Sequence, residues 1–101
     1  MAPTDVAWVY IMTNKTHTTL YVGSTVEIFS RMWEHRTKQN PGSFTARYNI
    51  RKLVYYRGFH SVKSARSKEK YIKGKSRAWK ITLINHMNPG WDDLTDLASR
   101  A

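Results

Sequence analysis

Residues 6–25, VAWVYIMTNKTHTTLYVGST, decide how the chain begins to fold. Val6 to Met12 is a run of branched and aromatic residues, a composition that favours a β-strand. Thr13 to Thr18 is polar and predicts a turn, and Leu20 to Gly23 has the composition of a second, shorter strand. Two short strands separated by a polar turn predict a β-hairpin.

A helix is predicted directly after the hairpin. Ser24 and Glu27 have the spacing of a capping box, and Asn40-Pro41-Gly42 stops the helix after about Lys38. Four large apolar side chains of this helix are expected to pack inward, namely Ile28, Phe29, Met32 and Trp33.

The second half of the chain predicts one strand and two helices. Leu53 to Tyr56 is the strand. Ser61 can cap a helix that ends at Gly74, and Ser76 can cap a second helix. The order ββαβαα predicts an α/β domain with a small three-stranded sheet flanked by helices. We expect residues 1–94 to form this single domain and residues 95–101 to be a flexible tail.

The charge is distributed unevenly along the chain. The net charge is +10, and residues 36–80 contain fourteen bases and one acid, Glu69. A solvated face that aids solubility is the simpler explanation, but solubility does not require the charge to be concentrated, so nucleic acid is the favoured partner. A membrane is not expected, because no apolar run is long enough to span a bilayer. The chain has no cysteine, which fits the reducing cytoplasm.

Glu69 is the one acid of this basic segment. Val62, Ala65, Glu69 and Ile72 follow one another at steps of three and four, which places Glu69 on the inward stripe of its helix. A carboxylate near a core is costly unless it is paired or binds a metal. Two interpretations stay open: an ion pair with Arg31 or a lysine, and a ligand for a divalent cation.

Further polar residues are candidates for function. Arg31 and His35 share a face of the first helix, as surface residues often do, and Tyr10 and Tyr21 lie on the two arms of the hairpin. Aromatic residues alternate with basic residues over 44–57, which suits base stacking beside phosphate contacts. The residues expected to contact nucleic acid are Arg47, Tyr48, Arg51, Lys52, Lys68, Lys70, Lys73, Lys75 and Arg77.

These segments, taken in order, resemble the GIY-YIG nuclease superfamily, in particular its small single-domain members related to excision-repair and intron-encoded nucleases. The two signature segments are Val9-Tyr10-Ile11 and Tyr21-Val22-Gly23, with valine at two signature positions. The family's Arg-x-x-x-His matches residues 31–35, and its Glu-Lys-x-Ile-Lys-Gly matches residues 69–74. Phe-Thr-x-x-Tyr-Asn at 44–49 and Asn-Pro-x-Trp at 88–91 complete a resemblance that covers residues 7–94.

The resemblance implies an antiparallel three-stranded sheet with helices on both sides, and a role for each matching residue. Glu69 would bind one Mg²⁺ or Mn²⁺, and Arg31 would stabilise charge on the scissile phosphate. Tyr10, Tyr21 and His35 would position or deprotonate the attacking water, and Asn88 would support the site by hydrogen bonding. Position 68 is Lys where relatives often carry Arg.

The sequence therefore predicts a cytoplasmic, metal-dependent endonuclease that cuts DNA, with branched and single-stranded DNA as candidate forms and RNA left open. The alternative is a nucleic-acid binding domain that keeps the nuclease fold but has little turnover. A protein-interaction module fits the charge poorly.

Overall fold

The computed structural model describes residues 5–37 and 44–98, and it confirms the predicted fold class. Two short helices, Phe44–Arg47 and Thr95–Ala98, were not predicted. The elements in chain order are β1 (Ala7–Thr13), β2 (Leu20–Thr25), α1 (Ile28–Thr37), α2 (Phe44–Arg47), β3 (Lys52–Phe59), α3 (Val62–Lys73), α4 (Arg77–Met87) and α5 (Thr95–Ala98).

The three strands form an antiparallel sheet in the order β2-β1-β3. β1 is central and buried along its whole length, because helices cover both faces of the sheet. Alternate side chains of a strand point to opposite faces, so Val9 packs into a core with α3 and α4 while Trp8 packs into a second core with α1 and α5.

β3 carries one extra residue relative to β1. Ile11 pairs with Tyr55 and Met12 pairs with Leu53, so Val54 between them has no partner on β1. Such a bulge takes a residue out of the ladder of hydrogen bonds. The carbonyl of Val54 accepts a hydrogen bond from Nδ2 of Asn88 at 3.2 Å instead, and this bond ties the end of α4 to the sheet.

α1 departs from its prediction in two respects. Ser24 lies in β2 and is not the helix cap, and the helix begins at Ile28. Of the four side chains predicted to pack inward, only Ile28 and Met32 are buried, whereas Phe29 and Trp33 are 54% and 55% exposed. The inward prediction was wrong for these two because α1 contacts the sheet along a narrow stripe.

The caps of the second and third predicted helices are confirmed. Oγ of Ser61 accepts a hydrogen bond from N of Ser64 at 3.0 Å, and Oγ of Ser76 accepts one from N of Trp79 at 3.1 Å. Gly74 ends α3, as predicted. These capping bonds fix where α3 and α4 begin, and therefore which side chains of α3 face the sheet.

The sequence assigned residues 95–101 to a flexible tail, and the structure describes residues 95–98 of that segment. Thr95–Ala98 forms a helical turn, and Ala98 is buried in the core on the α1 side of the sheet. N of Leu94 donates a hydrogen bond to O of Leu53 at 2.7 Å, which docks this segment against β3. Residues 99–101 lie outside the described residues. Among the described residues, no helix is long and apolar enough to cross a membrane.

Candidate functional site at the edge of strand β2

Tyr10 lies at the centre of the sheet, and its side chain reaches across to the edge strand. Tyr10 pairs with Gly23 of β2. A Cβ atom placed on Gly23 would lie 2.5 Å from the Tyr10 hydroxyl and 2.6 Å from Cζ. Because only glycine leaves this space open, the ring of Tyr10 passes over β2 and brings its hydroxyl to the edge of the sheet.

The two predicted tyrosines are neighbours. The ring centroids of Tyr10 and Tyr21 are 6.3 Å apart, and the rings are tilted by 40°. Burial, followed by the neighbouring Tyr21, raises the pKa of Tyr10 well above its ordinary value. The charge of Arg31 lowers that pKa and the charge of Glu69 raises it, but both effects are smaller than burial. The Tyr10 hydroxyl therefore stays protonated at neutral pH.

Glu69 reaches the same edge from α3. Its carboxylate accepts a hydrogen bond from Oγ of Ser24 on β2, and Nζ of Lys73 lies 2.6 Å from its Oε2. Burial on its own would raise the pKa of Glu69, but the hydrogen bonds from Lys73 and Ser24 and the charges of Lys73 and Arg66 outweigh it. The pKa of Glu69 is therefore lowered, and the carboxylate is ionised at neutral pH. Of the two interpretations made from the sequence, this structure contains the ion pair with a lysine.

Arg31 comes to the site from α1. Its Nε lies 3.6 Å from Oε2 of Glu34, and the side chain is 42% exposed. A cleft of about 200 Å³ separates the start of α1 from the start of α3, and its lining includes Arg31, Ser24 and Arg66. Two guanidinium groups thus border a space next to the serine that holds Glu69. This arrangement suits an anion such as a phosphodiester.

Two predicted site residues stand apart from this group. Asn88 is buried, and its amide donates to the carbonyls of Val54 and Asp92 at 3.2 and 2.8 Å and accepts from N of Asp92 at 3.0 Å. These bonds hold the turn after α4, so the contacts of Asn88 are with backbone. His35 lies in α1, but its side chain is outside the described residues.

Several of the predicted nucleic-acid contacts are bound to the protein itself. Lys52 Nζ lies 3.0 Å from Nε2 of His17, and Arg77 donates a hydrogen bond to the His17 carbonyl at 2.6 Å. These two residues hold the turn between β1 and β2. Lys73 pairs with Glu69.

The remaining predicted contacts lie on or near the surface in separate places. Lys68 and Lys75 place Nζ 5.0 and 4.4 Å from the ring centroid of Tyr71, on the α3–α4 side. Arg47 packs over Tyr48, with 6.0 Å between its Cζ and the ring centroid, and Tyr48 is about half exposed. Lys70 is exposed on α3, and Arg51 is exposed just before β3.

Two site residues were not among those predicted for the site. Ser24 was interpreted as a helix cap, and only the pairing of Ser24 with Val9 in the hairpin places it beside α3. Arg66 is one of many bases in its segment. Its position three residues before Glu69, on an adjacent part of the helix surface, is the signal in the sequence that could have singled it out.

The three-stranded sheet and this polar edge define a small α/β domain with a charged site at one edge of its sheet. Residues 6–82 match the family model for the GIY-YIG catalytic domain, and the chain therefore belongs to the GIY-YIG family. Its fold is similar to the solution NMR structure of a UPF0213 protein from Bacillus halodurans. The TM-score is 0.56, with 25% sequence identity, over 90% of this chain and 95% of the other. None of the curated proteins matches the chain.

Proposed function

We propose that this chain is a metal-dependent endonuclease that hydrolyses phosphodiester bonds in DNA. One observation carries the proposal: an ionised carboxylate from α3, a tyrosine hydroxyl from β1 and a guanidinium from α1 converge near the edge of β2. Each of these groups has a use in phosphodiester hydrolysis, and they come from three elements far apart in sequence.

Glu69 would hold one Mg²⁺ or Mn²⁺, since hard cations prefer carboxylate oxygens as ligands. Among residues whose side chains are described, no three His, Asp or Glu side chains come together as a metal cluster. One carboxylate suits Mg²⁺, which keeps several waters and is often bound by one or two carboxylates together with substrate phosphate. Glu69 fits this role because its carboxylate is ionised at neutral pH and partly buried beside Ser24. A bound cation would supply an activated water and neutralise charge on the leaving oxygen.

The other residues act on the phosphodiester and on the attacking water. The Arg31 guanidinium can donate two parallel hydrogen bonds to phosphate oxygens. The Tyr10 hydroxyl, which stays protonated, donates a hydrogen bond and so orients the water. Tyr21 and His35 are then the candidates for removing the proton. Of these two side-chain types, the imidazole of histidine is the one whose unperturbed pKa, about 6.5, lies near neutrality.

The experiment that tests the proposal is a Mg²⁺ and Mn²⁺ titration of cleavage with branched, single-stranded and duplex DNA. Glu69→Gln keeps the shape of the side chain and removes its charge, so we expect it to abolish cleavage while DNA binding stays the same or becomes slightly tighter. Glu27→Gln is the matched control, because Glu27 is exposed and lies outside the site. Equal cleavage by Glu69→Gln and the native protein would refute the metal assignment.

The pH dependence of the rate separates the candidate bases. If His35 takes the proton, activity rises with pH and levels off near neutrality, and His35→Ala removes this step. If Tyr21 takes it, Tyr21→Phe removes the rise of activity with pH and His35→Ala leaves that rise in place. If neither variant changes the profile, neither residue is the base.

One observation favours the second candidate function, a nucleic-acid binding domain with little turnover. Lys73 already neutralises the carboxylate that the proposed mechanism needs for a metal. This candidate predicts that the native protein binds DNA without cutting it at any Mg²⁺ or Mn²⁺ concentration.

A further inference from the structure

A second basic site lies at the other end of the sheet. An open cavity of about 660 Å³ is lined by Lys15, Asn49, Arg51, Lys52 and Asp93. Three of these five residues are cations, and they come from the β1–β2 turn and from the start of β3. Their closeness depends on the fold, because Lys15 is far from the other two in sequence.

The strand register separates this cavity from the site at Glu69. Ser24, which holds Glu69, pairs with Val9, whereas Thr13 pairs with Leu20 and Lys52 at the opposite end of the sheet. Four residues of a strand span about 13 Å. The two sites therefore lie one strand length apart and do not share residues.

The charge of the cavity favours an anion. Among the residues whose side chains are described, the side chains of Lys15 and Arg51 form no hydrogen bond or ion pair, and both residues are exposed. Asp93 is the one acid of the lining. Its Oδ1 accepts hydrogen bonds from N of Leu53, N of Thr95 and Oγ1 of Thr95, so it serves to hold the start of α5.

The ammonium group of Lys52 has hydrogen-bond donors left for a ligand. Burial and the charge of Lys52 lower the pKa of His17, so His17 is neutral and its Nε2 accepts one hydrogen bond from the ammonium group. An ammonium group has three donors, and two remain.

The backbone around this end of the sheet is held in an uncommon conformation. His17, Asn49 and Trp91 have φ values of 58°, 54° and 53°, and they are the non-glycine residues with positive φ in the described part of the chain. His17 and Trp91 also stack, with ring centroids 4.8 Å apart. Such backbone conformations persist where the surroundings fix them. Of these three residues, Asn49 lines the cavity.

We propose that Lys15, Arg51 and Lys52 form a second phosphate-binding site. This site binds the backbone of the nucleic acid at a distance from the scissile bond. This inference rests on the proposed function, since it assigns the same nucleic-acid substrate to both sites. A separation of about 13 Å corresponds to about four base-pair steps of 3.4 Å along one strand. The second site thus sets how much nucleic acid must extend beyond the scissile bond for full affinity.

The test measures binding of a fluorescent 20-base-pair duplex by anisotropy in EDTA, over a range of salt concentrations. Lys15→Gln and Arg51→Gln are the variants of choice, because both side chains are exposed, whereas Lys52 supports the turn. Each neutralised phosphate contributes about 0.9 to the slope of log affinity against log salt. We expect the slope to become shallower by about 0.9 for each single variant and by about 1.8 for the double variant.

The control is Lys80→Gln, which removes the same charge from α4, outside the cavity. A double variant that matches this control would overturn the second site and leave the proposed function intact. Weaker binding with an unchanged slope would also overturn it, because the loss would not come from phosphate contacts. If the native protein shows no salt-dependent binding, the proposed function and the second site both fail.

Discussion

The carboxylate of Glu69 depends on two neighbours from different elements. Ser24 of β2 and Lys73 of α3 each bind one of its oxygens. A metal at Glu69 has to compete with the Lys73 ammonium. Lys73→Met removes this competitor, and a partly exposed ion pair is worth about 0.2–1 kcal/mol. We therefore expect Mn²⁺ to bind about 1.5- to 5-fold more tightly to Lys73→Met, measured by calorimetry.

The control for this measurement is Lys70→Met, which removes an exposed lysine one residue after Glu69. It should leave Mn²⁺ affinity close to that of the native protein. Weaker Mn²⁺ binding to Lys73→Met than to this control would mean that Lys73 supports the metal site instead of competing for it.

A single methyl group added at Gly23 should destabilise the folded protein. In Gly23→Ala the new methyl group would overlap the buried Tyr10 ring. Overpacking of this kind costs about 1–3 kcal/mol of stability. Gly74→Ala is the matched control: its Cβ would meet no atom closer than 3.6 Å, and its φ is −78°. We expect Gly74→Ala to raise stability by about 0.4–1 kcal/mol, with urea denaturation as the measurement for both.

Because the pKa of Tyr10 is raised in the folded state, the stability of the protein should fall as pH rises through the alkaline range. Burial keeps the folded phenol neutral, whereas the unfolded phenol ionises near its ordinary pKa of 10.0. The contribution of Tyr10 is therefore fully present below pH 10 and is lost as pH rises toward the raised pKa of the folded state. One pH unit above 10 removes up to about 1.4 kcal/mol.

Tyr10→Phe has no group that ionises at this position. We expect the native protein to lose stability relative to Tyr10→Phe between pH 8 and pH 11, as measured by urea denaturation of both proteins at each pH. A constant difference between them would show that Tyr10 ionises at the same pH in the folded and unfolded states.

Glu69 and Ser24 show which features of the site could be predicted from the sequence and which could not. The spacing of Ala65, Glu69 and Ile72 placed Glu69 on the inward side of its helix, and it is partly buried. The partner of Glu69 could not be chosen from spacing, because several bases are within reach on α3. Ser24 was missed for a different reason: a Ser-x-x-Glu pattern is local, whereas its bond to Glu69 joins residues 45 positions apart.

At the scale of elements, α1 buries fewer of its apolar side chains than their number in the sequence suggests. Met32 is almost fully buried and Phe29 is over half exposed. Met32→Ala should cost about 2–5 kcal/mol of stability, because it leaves a cavity in the core. Phe29→Ala should stay within about 0.5 kcal/mol of the native protein, as surface substitutions usually do. Thermal denaturation of the two variants checks the contrast, and equal losses would contradict the exposure of Phe29.

Elements with local signals were predicted, and elements that depend on distant contacts were not. The caps at Ser61 and Ser76 are read from a few neighbouring residues, so α3 and α4 begin close to where the sequence places them. α5 has four residues, too few to show a helical period. It is held by packing of Ala98 and by the bond from Leu94 to Leu53, which no local pattern contains.

At the scale of the whole molecule, the basic residues are spread over several surfaces. Lys68 and Lys75 lie on the α3–α4 side, Arg31 and Arg66 border the cleft near Glu69, and Arg51 lines the cavity at the other end of the sheet. The sequence revealed the excess of charge in residues 36–80. It could not reveal this division, which depends on the strand register.

The native protein should bind DNA with a strong dependence on salt, because each phosphate that the basic residues neutralise releases a counterion. Six phosphate contacts would give a slope of about −5 for log affinity against log salt on duplex DNA. Anisotropy measurements between 50 and 200 mM salt check this value. A flat response would refute nucleic-acid binding altogether.

The extra residue at Val54 sets the register in which the rest of β3 pairs with β1. Because Val54 is left out of the pairing with β1, it determines which face of the sheet Tyr55 and each later residue of β3 point to. Deletion of one residue here would exchange the two sides of the rest of the strand, and it would also withdraw the carbonyl that Asn88 holds. The fold therefore constrains the length of this segment more tightly than the identity of its side chains.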